Sequence, residues 1–296
     1  MADEKKFGAL RWAIEMTQFW KAAAPGSRFP VNVELIAETV SASRFPSDRI
    51  KAIKGGAIPD FDGALYPIDD PRNGWAIIYN KTDVSLERQR FTIAHEFGHY
   101  LAHRHLLPNG VECDEKVVTQ RSGKGIEKEA DEFAASLLMP FDDFKARIPA
   151  DAKPSLDDLG AAAEHYGVSL TATALRWLEY TERRAVFMVS RDGGARWAKS
   201  SEPAFKSGRF FRTVRETYML PEASCAVNGN FDDMGRASAT HPPGVWFPEE
   251  TEEFCICSKK HDLTLTILHL PKSFRWLGPA EPVEPDTFDR FMSGGR

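Results

Sequence analysis

The chain has 296 residues, 42% of them hydrophobic and 27% charged, an ordinary globular composition with length enough for about two domains. Its formal net charge of -5 supplies no general basic field, which argues against nucleic acid or an anionic membrane as the main partner. Nothing in it resembles a leader peptide or the ~18 uninterrupted apolar residues of a membrane span, and four cysteines (Cys113, Cys225, Cys255, Cys257) do not suggest a secreted disulfide framework; a cytoplasmic protein is expected.

In chain order, residues 6–24 place Phe7, Leu10, Ile14 and Phe19 at roughly helical spacing and stop at Ala24-Pro25-Gly26, predicting an amphipathic helix. A second, shorter helix is predicted from Val31 to Val40 through Val33, Ile36, Ala37 and Val40. From Ile53 to Tyr79 short apolar runs alternate with Gly and Pro turns, as in two or three strands, of which Trp75 to Tyr79 is the clearest. Ser85 can cap a buried helix that runs to about His105 with Phe91, Ile93, Ala94, Phe97 and Leu101 on its apolar face. A polar stretch from Glu112 to Gly125 follows, and then a third strong helix from about Ile126 to Met139. Leu156 to Tyr180 reads as two helices broken at Gly167-Val168-Ser169. Beyond Arg184 the texture is β, with strand-like runs at 185–190, 195–199, 209–214, 254–258 and 263–270, and the last ~20 residues have the composition of a disordered tail.

Four of the eight histidines fall between positions 95 and 105, and two of them sit in His95-Glu96-Phe97-Gly98-His99. Positions i and i+4 share a helix face about 6 Å apart along the axis, so both imidazoles can reach one metal ion with Glu96 beside them. Zinc with one open position acidifies water, and an adjacent carboxylate can take the proton as that water attacks a carbonyl. The surrounding helix is strongly apolar, where two histidines without a partner would be expensive to bury. The third ligand has two candidates. His105 follows His99 by six residues, but the glycine that would turn the chain toward it is replaced by Ala102. Glu127 opens the next helix in Glu127-Lys128-Glu129-Ala130-Asp131, with Asp131 one turn on and able to orient a ligand histidine. The residues favour Glu127. Glu129 points to another face, and His103 suits a helix end or a place behind the ligands better than a ligand position.

The two segments Arg88-Gln89-Arg90-Phe91-Thr92-Ile93-Ala94-His95-Glu96-Phe97-Gly98-His99-Tyr100 and Glu127-Lys128-Glu129-Ala130-Asp131-Glu132-Phe133-Ala134-Ala135-Ser136-Leu137-Leu138-Met139-Pro140 resemble those of the ImmA/IrrE family of zinc metallopeptidases, over roughly residues 30–180. The resemblance implies an α+β chain with a zincin-like metallopeptidase domain, His95, His99 and Glu127 as zinc ligands and Glu96 as catalytic base. It further implies that the substrates are helix-turn-helix transcription repressors, cut to release stress or mobile-element genes. The segment Leu156 to Tyr180 is similar to the helix-turn-helix-like unit that follows the peptidase domain in that family. With one basic residue, Arg176, on its second helix and five acidic ones around it, direct DNA binding is not expected.

The expected organisation is a peptidase domain over residues 1–150, a helical unit over 151–183, a β-rich C-terminal domain of unknown role over 184–275 and a tail over 276–296. Cys255 and Cys257, alternate residues on one strand, could join His261 and Cys225 or His241 in a second metal site, although buried thiols in strands are common. Two functions are compatible with these features: a zinc endopeptidase acting on a protein partner, and a regulatory sensor that keeps a metal site and binds its ligand or partner through the C-terminal domain. Intact His95, Glu96 and His99 favour the enzyme.

Overall fold

The computed structural model describes residues 7–58, 61–68, 73–113, 123–213, 218–258 and 262–272. The expected tail at 276–296 and His261 lie outside them. The chain divides into two compact units, Met1–Phe144 with Ala163–Ser169, and Lys145–Ala162 with Leu170–Arg296.

In the first unit, helices α1 (Ala9–Ala23) and α2 (Val33–Arg44) precede strands β1 (Ile50–Gly56), β2 (Gly63–Pro67) and β3 (Trp75–Asn80). Helix α3 (Leu86–Gly98) runs into one turn of π-helix (His99–His103), then come strand β4 (Val111–Cys113) and α4 (Gly123–Leu138), while α5 (Phe141–Arg147) crosses from the first unit into the second after Phe144. The sheet order is β1-β3-β2-β4; β1 and β3 are parallel and the other pairs antiparallel. The clearest sequence-predicted strand, β3, is thus internal, and β4 terminates the sheet on the other side of β2.

Local chemistry accounts for these boundaries. The Asn32 side chain accepts from the Leu35 amide at 3.0 Å and starts α2, and Ser85 Oγ accepts from the Arg88 amide at 3.3 Å and starts α3. The predicted face of α2 is the buried one: Val33, Ile36, Ala37 and Val40. In α1 the opposite occurred. Leu10, Ile14 and Phe19 are exposed, and Ala9, Trp12, Ala13, Met16 and Trp20 face the core. That helix carries apolar residues on two sides, and the two tryptophans bury the larger area.

Helix α3 is packed between the sheet and α4. A Cβ on Gly98 would meet the Phe133 side chain at 3.0–3.2 Å, so the glycine permits the two helices to approach closely. Phe133 also packs edge-on against Phe97, with ring centroids 5.6 Å apart. Asp48 ties the end of α3 to the sheet: it accepts from Trp75 Nε1 at 2.9 Å and Arg104 Nε at 3.2 Å, while its carbonyl accepts from the Tyr100 hydroxyl at 2.9 Å.

The second unit contains α7 (Leu170–Leu178), strands β5 (Ala185–Arg191), β6 (Gly194–Ser200), β7 (Arg236–His241), β8 (Thr251–Ser258) and β9 (Leu263–His269), and the short helices α8 (Glu202–Lys206) and α9 (Cys225–Asn228). Helix α6 (Leu156–Tyr166) straddles the division between the units. The five strands form one antiparallel sheet in the order β6-β5-β9-β8-β7. The run at 209–214 expected as a strand is irregular over its described residues, because Phe211 turns into the core against Trp246 and Phe247 instead of pairing in a ladder. Strand β7, polar and poor in apolar residues, takes the edge of the sheet instead. Trp177 is fully buried, with His269 of β9 5.7 Å away, so a cut near residue 184 would strip α7 of the sheet it packs against. Arg176 is buried as well and donates to Glu179 at 2.7 Å.

Phe133 is the residue on which the α3–α4 contact depends. Phe133→Ala is expected to lower unfolding stability by about 3–5 kcal/mol. Urea denaturation of the full chain measures this, and a loss under about 1 kcal/mol would mean the contact is not a keystone.

Candidate metal centre

The end of α3 carries His95 and Glu96 into the interior and the π-helical turn that follows carries His99, with Glu96 and His99 0% exposed. From the start of α4, Glu127 reaches back across the helix pair. Its Oε2 lies 3.2 Å from His95 Nε2 and its Oε1 3.4 Å from His99 Nε2, and the two imidazole Nε2 atoms are 3.0 Å apart. In a tetrahedral zinc site with bonds near 2.0 Å, adjacent ligand atoms lie about 3.3 Å apart. The three side chains already hold their donor atoms at close to that spacing, so the residues fit a metal ion. The Cys113 sulfur at the end of β4 completes the group, all four ligand atoms lying within 4.8 Å of one another.

The far nitrogens are also engaged. His95 Nδ1 is 2.9 Å from Asp131 Oδ1, and His99 Nδ1 is 3.2 Å from His103 Nδ1, whose other ring nitrogen is 3.3 Å from Glu129. The π-helical turn places His103 under His99, and a widened turn of this kind is frequent at functional sites. A histidine whose outer nitrogen is held by a carboxylate has its ring orientation fixed for metal binding. His105, the rival third ligand, is exposed in the following turn and is not among the clustered groups. Glu129, expected to point away, reaches His103 instead of the centre.

Residues 57–178 match the family model of the IrrE N-terminal-like domain, peptidase family M78. Residues 57–178 thus form an M78 domain of the ImmA/IrrE type. A Mycobacterium tuberculosis transcriptional regulator of known structure shares the fold over 87% of this chain and 76% of its own length, with a TM-score of 0.52 and 11% identity. No curated protein matches the chain. The M78 domain has the zincin-like α+β fold, and no helix among the described residues is long and apolar enough to cross a membrane.

Within the M78 domain the electrostatics follow from burial. Glu96 has no hydrogen-bond partner on either carboxylate oxygen, and burial pushes its pKa up to about 7 against the opposing pull of His95. The nearby Cys113 thiol, a weak donor, also lowers it, but does not make a hydrogen bond that satisfies either oxygen. Burial would raise Glu127 too, yet His95 and His99 outweigh it and hold that carboxyl well below its ordinary range. Burial drives His99 down to about 4, so it is neutral and ligand-ready near pH 7. Burial would likewise lower His95, but Asp131, Cys113 and Glu127 together raise it.

Cys113 is the member of this group that the sequence did not reveal. It lies at the end of Val111-Glu112-Cys113, a three-residue strand inside what reads as a polar loop, and only the pairing of β4 with β2 brings it to the histidines. A second buried cluster lies in the β-rich unit. Cys225, His241 and Glu253 converge there, with Cys255 beside them, whereas Cys257 is not in the group. The Glu253 oxygens already accept from Ser224 Oγ at 2.7 Å, Cys255 Sγ at 3.1 Å, His241 Nε2 at 2.6 Å, the Cys225 amide at 3.1 Å and Trp246 Nε1 at 3.3 Å. A carboxylate so fully supplied with donors is a structural junction between β8, β7 and α9.

The raised pKa of Glu96 has a definite sign in stability. Its folded value of about 7 exceeds its ordinary value of 4.5, so between these the native state binds the extra proton and stability falls as pH rises. In chelator-treated protein, Glu96→Gln should therefore gain on wild type as pH is raised from about 5 to 8. Urea melts across that range test it, and a difference independent of pH would contradict the assignment.

Proposed function

We propose that the chain is a zinc-dependent endopeptidase that cuts a protein partner, with His95, His99 and Glu127 holding the metal, Glu96 as general base and Asp131 orienting His95. The observation that carries this reading is the Glu96 carboxylate, buried without a hydrogen-bond partner immediately beside three converging metal donors. A buried carboxylate left in that state is costly, and such groups concentrate where a pKa near neutrality serves catalysis.

Zinc in this position supplies a Lewis acid that polarises a peptide carbonyl and acidifies water. Glu96, with a pKa near the working pH, takes a proton from the attacking water and passes it to the departing amine nitrogen. Asp131 accepts from His95 Nδ1 and presents the opposite ring nitrogen inward. His103 and Glu129 do the same for His99 through a longer relay. An extended substrate segment would add to β4, the last strand on that side of the sheet among the described residues, whose final residue belongs to the centre.

The partner is proposed to be a helix-turn-helix transcription repressor in the cytoplasm, cleaved to release stress or mobile-element genes, with the β-rich unit recognising the folded part of that partner. The support for this substrate class is the ImmA/IrrE type of the domain. The test substrate is a helix-turn-helix repressor that the wild-type protein cleaves. Glu96→Gln should keep about one zinc per chain yet cut that repressor ~10²- to 10⁴-fold more slowly, the usual contribution of a general base. His95→Ala and Glu127→Gln should instead lose the zinc, as elemental analysis of the purified variants would reveal, while His105→Ala retains it. Wild-type turnover by Glu96→Gln, or zinc retained by Glu127→Gln and lost by His105→Ala, would refute the assigned roles.

A further inference from the structure

Catalytic zinc sites take three protein ligands and leave a fourth position for water, whereas four protein ligands make a closed site. The centre described above has a fourth donor within reach. Cys113 is held there by backbone geometry: it pairs with Gly63 in the β2–β4 ladder, and its carbonyl accepts from the Asp62 amide at 3.1 Å. Asp62 is in turn fixed to α3 by an ion pair with Arg88 at 2.7 Å. Gly63, the residue opposite Cys113, lies so close to α3 that a Cβ there would stand 2.8 Å from Glu96 Oε1 and 2.4 Å from Thr92 Cγ2. The ladder therefore holds the end of β4 beside the strand that abuts the buried carboxylate. The Cys113 thiol interacts with both His95 and Glu96, and its sulfur lies within 4.8 Å of the His95, His99 and Glu127 ligand atoms. A sulfur so close to three metal donors can compete with water for the fourth position on the metal.

We infer that Cys113 is a fourth protein ligand, which closes the zinc site of the resting protein and must be displaced before water can be activated. The inference rests on the zinc-site reading proposed above. On coordination the S–H bond breaks, its electron pair forms the sulfur–metal bond and the proton leaves to solvent; no oxidant or reductant is involved. Thiolate is the softest donor in the set and suits zinc well, so the closed form is chemically reasonable. Substrate entering along β4 would bear on the same strand that carries the sulfur, linking occupancy of the cleft to release of the ligand.

Cobalt(II) in place of zinc reports the donors directly. Visible ligand-field bands of high intensity mark a four-coordinate ion, and a near-ultraviolet charge-transfer band marks a thiolate bound to it. The full-length wild-type protein loaded with cobalt should show both. Cys113→Ser should keep the visible bands and lose the near-ultraviolet one, and Cys225→Ser should keep both, excluding the Cys225 sulfur as its source. Cys113→Ala serves where the serine variant does not fold, and the wild-type spectrum is decisive without any variant. Visible bands with no charge-transfer band in wild type, or a charge-transfer band that survives Cys113→Ser, would overturn the inference and leave the His95, His99 and Glu127 site standing. If wild type bound no cobalt at all, the metal-site reading would fall and the inference with it.

Discussion

The close approach of α3 and α4 at Gly98 and Phe133 is the constraint on which the first unit depends. The end of α3 and the π-helical turn that continues it contribute two imidazoles and a carboxylate, and α4 contributes Glu127 and Asp131 from its N-terminal half. Neither helix forms the centre alone. Their separation decides whether Glu127 lies 3.2 Å from His95 or out of reach, and that separation is set by an apolar contact in which glycine leaves room for an aromatic ring. Packing energy of this kind is what holds polar side chains in a geometry that their mutual desolvation would otherwise oppose.

That opposition is considerable. Two histidines, two carboxylates and a thiol share a small, largely buried volume, and Glu96 has no hydrogen-bond partner to offset its loss of water. A site evolved for stability alone would place apolar side chains here, since buried ionic groups seldom stabilise a fold relative to well-packed hydrocarbon. The sheet supports the same arrangement from the other side. Gly63 lets β2 come up against Glu96, and Asp48 pins the π-helical turn to β3 through Trp75, Tyr100 and Arg104. The β-rich unit resolves a similar problem differently: Glu253 is buried, but five donors converge on it. The contrast between a fully satisfied carboxylate and an unsatisfied one separates a structural group from one poised for chemistry.

Much of this was legible in the sequence where the governing contacts are local. The pair His95 and His99 is readable because four residues make one helical turn, and Glu127 with Asp131 is readable for the same reason. Helix starts at Asn32 and Ser85 follow from side chains three residues away from the amides they cap. What escaped depends on contacts between segments distant in the chain. Cys113 becomes part of the centre only through its ladder with Gly63, fifty positions earlier, and nothing in Val111-Glu112-Cys113 signals that pairing. The internal position of β3 was hidden because an apolar strand looks alike at the centre or edge of a sheet. The buried face of α1 is ambiguous in sequence because apolar residues line both sides, and β7 is hidden because an edge strand can be polar throughout.

Crystals of zinc-loaded protein, with diffraction recorded on either side of the zinc absorption edge, would test the central claim most directly, because anomalous scattering locates the metal without reference to activity. The account predicts a single strong peak within about 2.0–2.2 Å of His95 Nε2, His99 Nε2 and a Glu127 oxygen. A peak in the β-rich unit at Cys225, His241 and Glu253, with none at the histidines of α3, would contradict it.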